Sequence, residues 1–159
     1  SWFPFRARDA DVAALGKGIG SAADELATTI GVLQREKKTL GKPIVTGFSQ
    51  GGMLSFAIAV RHPDLVAAAL PIGGWLPPPL QPTTPAPKDA PPVRAFHGTD
   101  DNAVKYEPTR IGVDAMKQHG WDVQLHAYEG VGHVITPEIH RDLDDALTDA
   151  LRSLRKKKN

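Results

Sequence analysis

The chain has 159 residues, 41% of them hydrophobic, which suits one compact domain with its own core and argues against disorder. A formal net charge of +1 gives no electrostatic reason to expect nucleic acid or an anionic membrane as partner, and no apolar run approaches the ~18 residues of a membrane span. The lack of cysteine excludes disulfides, thiolate catalysis and cysteine-ligated zinc.

In chain order, "SWFPFRARDAD" (Ser1 to Asp11) has the pattern of neither a signal peptide nor a domain start, so Ser1 is expected to be a cleavage point or a boundary. "LGKGIG" (Leu15 to Gly20) has no strand before it and lacks the G-x-G-x-x-G spacing, which makes it a lead-in to a helix rather than a phosphate cradle. The helix is expected from Ser21, with Asp24 in capping-box position and Ala22, Leu26, Ile30 and Leu33 at helical spacing. "KPIVTGF" (Lys42 to Phe48) then reads as a short buried strand, and "QGGMLSFAIAVRHPD" (Gln50 to Asp64) as a buried helix closed by Pro63. "LVAAALPIGG" (Leu65 to Gly74) is a second apolar strand. The proline-rich segment Trp75 to Pro92 excludes helix and ladder alike and is expected as a semi-rigid loop near the active site.

"VRAFHG" (Val93 to Gly98) is the third strand, and "PTRIGVDAMKQHG" (Pro108 to Gly120) a helix with Gly120 at its C′ stop. "DVQLHAYEG" (Asp122 to Gly130) alternates as a fourth strand. The last helix, about Pro137 to Arg155, carries Leu143, Leu147, Leu151 and Leu154 on one face, and the basic end "RKKK" (Arg155 to Lys158) suits a helix C-terminus. Strands alternating with helices predict an α/β fold: a parallel sheet joined by right-handed crossovers, with helices on both faces. Working residues then collect beyond the carboxyl ends of the strands.

Three segments fall at such ends. "GFSQGG" (Gly47 to Gly52) matches G-x-S-x-G in the strand-then-helix context of a nucleophile elbow, where a strained turn holds a hydroxyl out. A serine hydroxyl needs a base to take its proton and a third group to orient that base. "HGTDDNAV" (His97 to Val104) offers Asp100 or Asp101 as that third group, and "YEGVGH" (Tyr128 to His133) places His133 in a glycine-lined loop. Ser49, an aspartate and His133 follow the hydrolase order of nucleophile, acid, base. The backbone N–H of Gln50 would supply one half of an oxyanion hole from a helix N-terminus. His62, His97, His119, His126 and His140 have no comparable placement, and no metal-ligand pattern such as H-E-x-x-H occurs, so neither metal nor cofactor is expected.

With these segments in hand, the chain resembles the phospholipase/carboxylesterase family of α/β-hydrolases, which includes the acyl-protein thioesterases. "GFSQGG" is close to that family's elbow. His97 to Val104 fits its H-G-x-x-D-x-x-V motif, which implies Asp101 as the acid, and Tyr128 to His133 fits Y-x-G-x-x-H. "GGWLP" (Gly73 to Pro77) is similar to the segment that lines the family's acyl pocket, which implies Trp75 and Leu76 as substrate-binding residues.

The resemblance implies a serine carboxylesterase or thioesterase acting on small acyl esters or thioesters. An apolar wall of Trp75, Leu76 and the proline-rich loop suggests acyl groups of short to medium length, and a cytoplasmic location is expected. Alternatives are a serine peptidase of the prolyl-oligopeptidase type and a non-catalytic hydrolase remnant serving as an assembly module. Family members carry earlier strands and an early loop that donates the second oxyanion N–H. The 159 residues therefore correspond to about the C-terminal two-thirds of one hydrolase domain. The strand at Ile44 would be an apolar edge, to be covered by a companion N-terminal fragment or a second copy of the chain.

Overall fold

The computed structural model describes residues 2, 11–37, 39 and 41–156. The N-terminal stretch apart from Trp2 and Asp11, and Lys157 and Lys158 of the basic end, lie outside the described residues. The elements are α1 (Val12–Glu36), β1 (Ile44–Phe48), α2 (Gln50–Arg61), β2 (Ala68–Ile72), β3 (Val93–Gly98), α3 (Tyr106–Gln118), β4 (Val123–Tyr128) and α4 (Pro137–Lys156).

Helix α1 starts well before Ser21. Its cap is Asp11, whose carboxylate accepts the Ala14 N–H at 2.8 Å. The glycines that suggested a lead-in are inside the helix for a tertiary reason. A Cβ on Gly16 would meet Pro79 Cβ at 3.1 Å, so the bare backbone lets α1 lie against the proline-rich segment. Asp24 does not close a capping box either; it accepts from Arg61 at 2.6 and 2.9 Å and contacts His62 Nε2 at 2.7 Å, clasping α1 to the end of α2. That segment also holds one turn of 3₁₀ helix, Pro78–Leu80, contrary to the expectation of no helix. Proline fits there because the first helical positions have no intrahelical N–H bond to lose. Gly120 does stop α3, at φ +80°.

All strand pairs are parallel and the order is β1-β2-β3-β4, with Ile44 beside Ala68 and Val93 beside Val123. Each strand is thus added on the same side of the last. Right-handed crossovers in one direction put every connection on one face. Accordingly α2 and α3 pack with Ala69, Val93, Ala95 and Val123, and α1 packs on α2 through Leu15, Ile19 and Ala23. Leu70, Ile72 and Phe96 point the other way, and α4 meets them through Ile139, Leu143 and Leu147.

Helices do lie on both faces, but unevenly. Central β2 is buried at every position, whereas edge strand β1 alternates between half-buried and exposed. Along α4 only Ile139 is buried, and Leu151 stands 45% exposed. A cavity of about 910 Å³ opens between α4 and the sheet, floored by Ala68 and Leu70 and flanked by Arg94 and Asp142. Among the described residues no strand pairs with the outer edge of β1.

Candidate active site

Because the strands are parallel, the turns after β1, β3 and β4 emerge at one edge of the sheet. The first is a sharp elbow. Ser49 has φ 59° and ψ −117°, and it is the one non-glycine residue with positive φ among those described. Such backbone is strained for an L-residue and persists only where its surroundings hold it. Here the Ser49 N–H donates to Ile72 O at 2.9 Å and its carbonyl accepts Met53 N–H at 3.0 Å. Gly47 is required by the bend, since a Cβ would lie 2.6 Å from the Gly51 carbonyl carbon, whereas a Cβ on Gly51 would meet nothing within 4 Å.

The loops after β3 and β4 are bolted together. Thr99 N–H donates to Tyr128 O, Asp100 N–H to Val131 O and Gly130 N–H to Thr99 Oγ1, each at 2.9 Å. Gly98 permits the approach, because a Cβ there would collide with the Val131 carbonyl oxygen. Between the bolted loops Asp101 is 3% exposed. Its Oδ1 accepts the Ala103 and Val104 N–H groups at 2.9 and 2.8 Å, and its Oδ2 accepts His133 Nδ1–H at 2.7 Å. With that proton on Nδ1, His133 Nε2 accepts the Ser49 hydroxyl at 2.9 Å. Ser49, Asp101 and His133 thus converge, while the alternative acid Asp100 points to solvent beside Thr99.

The Phe48 ring lies against one face of the imidazole, with centroids 4.5 Å apart at 29°. It was not singled out in the sequence, and only its position before the serine could have drawn attention to it. Gln50 is the first residue of α2, at the positive end of the helix dipole, and its side-chain Oε1 accepts the Trp2 backbone N–H at 2.9 Å. Trp75 and Leu76 follow Gly73, whose added Cβ would lie 3.5 Å from His133 Cε1. Their side chains turn inward, Trp75 among Leu15, Ile19 and Leu54 and Leu76 among Phe56, Val113 and Met116.

The other histidines are engaged elsewhere. His62 is on Asp24, His119 Nδ1 is 2.9 Å from Ala115 O, His126 stacks on Phe96 and His140 is 3.4 Å from Asp144. His97 is buried behind Asp101. Among the described residues no group of three or more His, Asp or Glu side chains could hold a metal ion.

A parallel sheet with a serine elbow, and an acid and an imidazole following in that chain order, has the architecture of an α/β-hydrolase. The chain belongs to the phospholipase/carboxylesterase family, whose sequence profile matches residues 1–150. It is 31% identical over 117 residues to a protein of Oryza sativa subsp. japonica described as a probable carboxylesterase, covering 72% of this chain and 44% of that one. It is 34% identical over 106 residues to acyl-protein thioesterase 1 of Mycosarcoma maydis, covering 63% of this chain and 44% of that one. The chain therefore spans less than half the length of these curated relatives. Among solved structures, esterase PE8 superposes with a TM-score of 0.76 at 25% identity, covering 97% of this chain and 70% of that one. SOBER1 of Arabidopsis thaliana superposes at 0.75 and 24%, covering 95% and 74%.

Proposed function

We propose that this chain carries the nucleophile, base and acid of a serine esterase or thioesterase that hydrolyses short- to medium-chain acyl esters through an acyl-enzyme. The observation that carries the reading is the unbroken relay from Ser49 Oγ to His133 Nε2 at 2.9 Å and from His133 Nδ1 to Asp101 Oδ2 at 2.7 Å. His133 takes the Ser49 proton as Oγ attacks the acyl carbon. The tetrahedral oxyanion collapses, and His133 passes the proton to the departing alkoxide or thiolate. Water, deprotonated by His133, then cleaves the acyl-enzyme and returns the proton to Ser49. Asp101 keeps the imidazole in the tautomer that can accept and stabilises it when charged. The Gln50 N–H stabilises the oxyanion at the α2 N-terminus. Trp75 and Leu76, whose side chains turn into the core, act in this reading only by anchoring the Gly73–Gly74 turn beside His133. The proline-rich segment 75–92 leads away from there over α1 to the far end of α3.

The second oxyanion donor and the neighbour of β1 come, in this reading, from a companion segment or a second copy of the chain. The motive for that proposal is the outer edge of β1, with which no described strand pairs. The test is turnover of p-nitrophenyl acyl esters of graded length, with fluorophosphonate labelling, in the wild type and Ser49→Ala. Loss of both signals in the variant is the expected result, and undiminished hydrolysis rejects Ser49. Silence of the wild type toward the probe favours an assembly module instead, a reading that the cavity left between α4 and the sheet recommends.

A further inference from the structure

Val104 is gripped at both ends of its peptide. Its N–H donates to Asp101 Oδ1 at 2.8 Å, and its carbonyl lies 2.9 Å from His97 Nε2. A carbonyl can only accept, so the His97 proton sits on Nε2. The acid loop, residues 98–104, is thereby tied across its mouth from the last turn of β3 to its own far end. We propose that His97 is a positioning residue for the Asp101–His133 pair, holding the acid loop closed by donating Nε2–H to the Val104 carbonyl behind the carboxylate. The inference deepens the esterase reading and rests on it for its kinetic arm.

Three observations separate this from ordinary core filling. His97 is 1% exposed, yet its Nδ1 has no hydrogen-bond partner among the described residues. A buried acceptor left unsatisfied lowers stability, and a phenyl ring would fill the same space without that cost. The strong hydrogen bond of this imidazole is the one from Nε2 to Val104 O, with the Gly74 backbone a weaker neighbour. Second, Nε2 lies 3.5 Å from Asp101 Oδ2, the oxygen that holds His133, so two imidazoles converge on one carboxylate. The titratable groups facing His97 are Asp101, Tyr106 and His133, with the Tyr106 ring edge-on at 6.0 Å.

Third, burial holds His97 below the ordinary histidine range, against the opposing pull of the Val104 carbonyl, the Asp101 charge and the Gly74 backbone, with the His133 charge acting the same way as burial. A neutral His97 leaves the whole Asp101 charge to the imidazolium that forms on His133. A charged one would compete for it and repel its partner.

The experiment compares His97→Gln, whose amide N–H can reach the Nε2 position, with His97→Asn, whose shorter amide cannot, and with His97→Phe. In the full chain, ester hydrolysis is followed from pH 5 to 9, and the low-field proton resonance of the His133 Nδ1–H is recorded. Asn and Phe are expected to lower kcat at least tenfold with KM within twofold of wild type. They should also move the acid-limb midpoint to lower pH and weaken the low-field resonance, while Gln restores all three.

Equal behaviour of Asn and Gln, or unchanged midpoint and resonance in Asn, overturns the proposal. A loss of kcat that only follows the folded fraction overturns it as well. Should Phe fail to fold, the Asn and Gln pair decides. If the wild type does not react with fluorophosphonate, the esterase reading falls, and the resonance, read without turnover, still decides the role of His97.

Discussion

At position 101 the carboxylate is enclosed by two backbone N–H groups and one imidazole, whereas its neighbour at 100 faces water. Two adjacent aspartates of the same chemistry should therefore behave very differently. Asp101→Asn is expected to reduce kcat by about 10⁴-fold, as loss of the orienting acid does in serine triads. Asp100→Asn should stay within a few-fold in the same steady-state ester assay, and equal losses would disprove the arrangement. The three converging residues were legible because each sits in a motif at a strand end. Asp101 was separated from Asp100 only by the family resemblance, since spacing alone left both open. Phe48 and His97 were illegible for a physical reason. Ring stacking on His133 and the tie to Val104 depend on how separate segments pack, and no local pattern encodes either.

Element boundaries failed where tertiary contact overrode local preference. Gly16 and Gly20 read as part of a lead-in, but α1 runs through both, and at Gly16 the bare backbone is what lets Pro79 pack close. Ser21 and Asp24 had capping spacing, yet Asp24 works 37 residues away on Arg61. That clasp is solvent-screened, with side chains 38% and 45% exposed, so it is worth about 1 kcal/mol or less. The Arg61 hydrogen bond holds the Asp24 carboxyl below its ordinary value of 3.8, more than partial burial raises it.

A depressed folded-state value means that the contribution is complete above the unfolded value and is lost as pH falls through the folded one. Asp24→Asn should lower Tm by about 2–4 °C at pH 7. The gap to wild type should begin to shrink as pH falls below about 4, where the unfolded-state carboxyl starts to take up its proton, and should close only below the lower folded-state value. A gap that persists at pH 2 would assign the effect to packing instead.

For the whole molecule, alternation of strands and helices correctly gave a parallel α/β sheet. The uneven covering was not readable, because periodicity fixes neither strand order nor the direction in which the sheet grows. Unidirectional growth places α1, α2 and α3 on one face and leaves α4 as the other face's only described helix. Parallel sheets are stable when both faces are covered, and an open edge invites pairing with other chains. The isolated chain should therefore self-associate in proportion to its concentration. Thr46→Lys, which places a charge on the exposed edge strand, should shift sedimentation toward monomer, with a modest fall in Tm because the Thr46 hydroxyl no longer donates to Leu70 O. Unaltered self-association would move the contact surface elsewhere.

The sequential strand order has one more effect. Ser49 belongs to the β1–α2–β2 unit and Asp101 and His133 to β3–α3–β4, and only the proline-rich stretch connects them covalently. The proposed catalytic centre lies on the seam between two supersecondary halves. A backbone cut at the exposed pair Thr83–Thr84 would make assembly of the relay a bimolecular event. The recovered reactivity of Ser49 would then report how tightly the two pieces find each other.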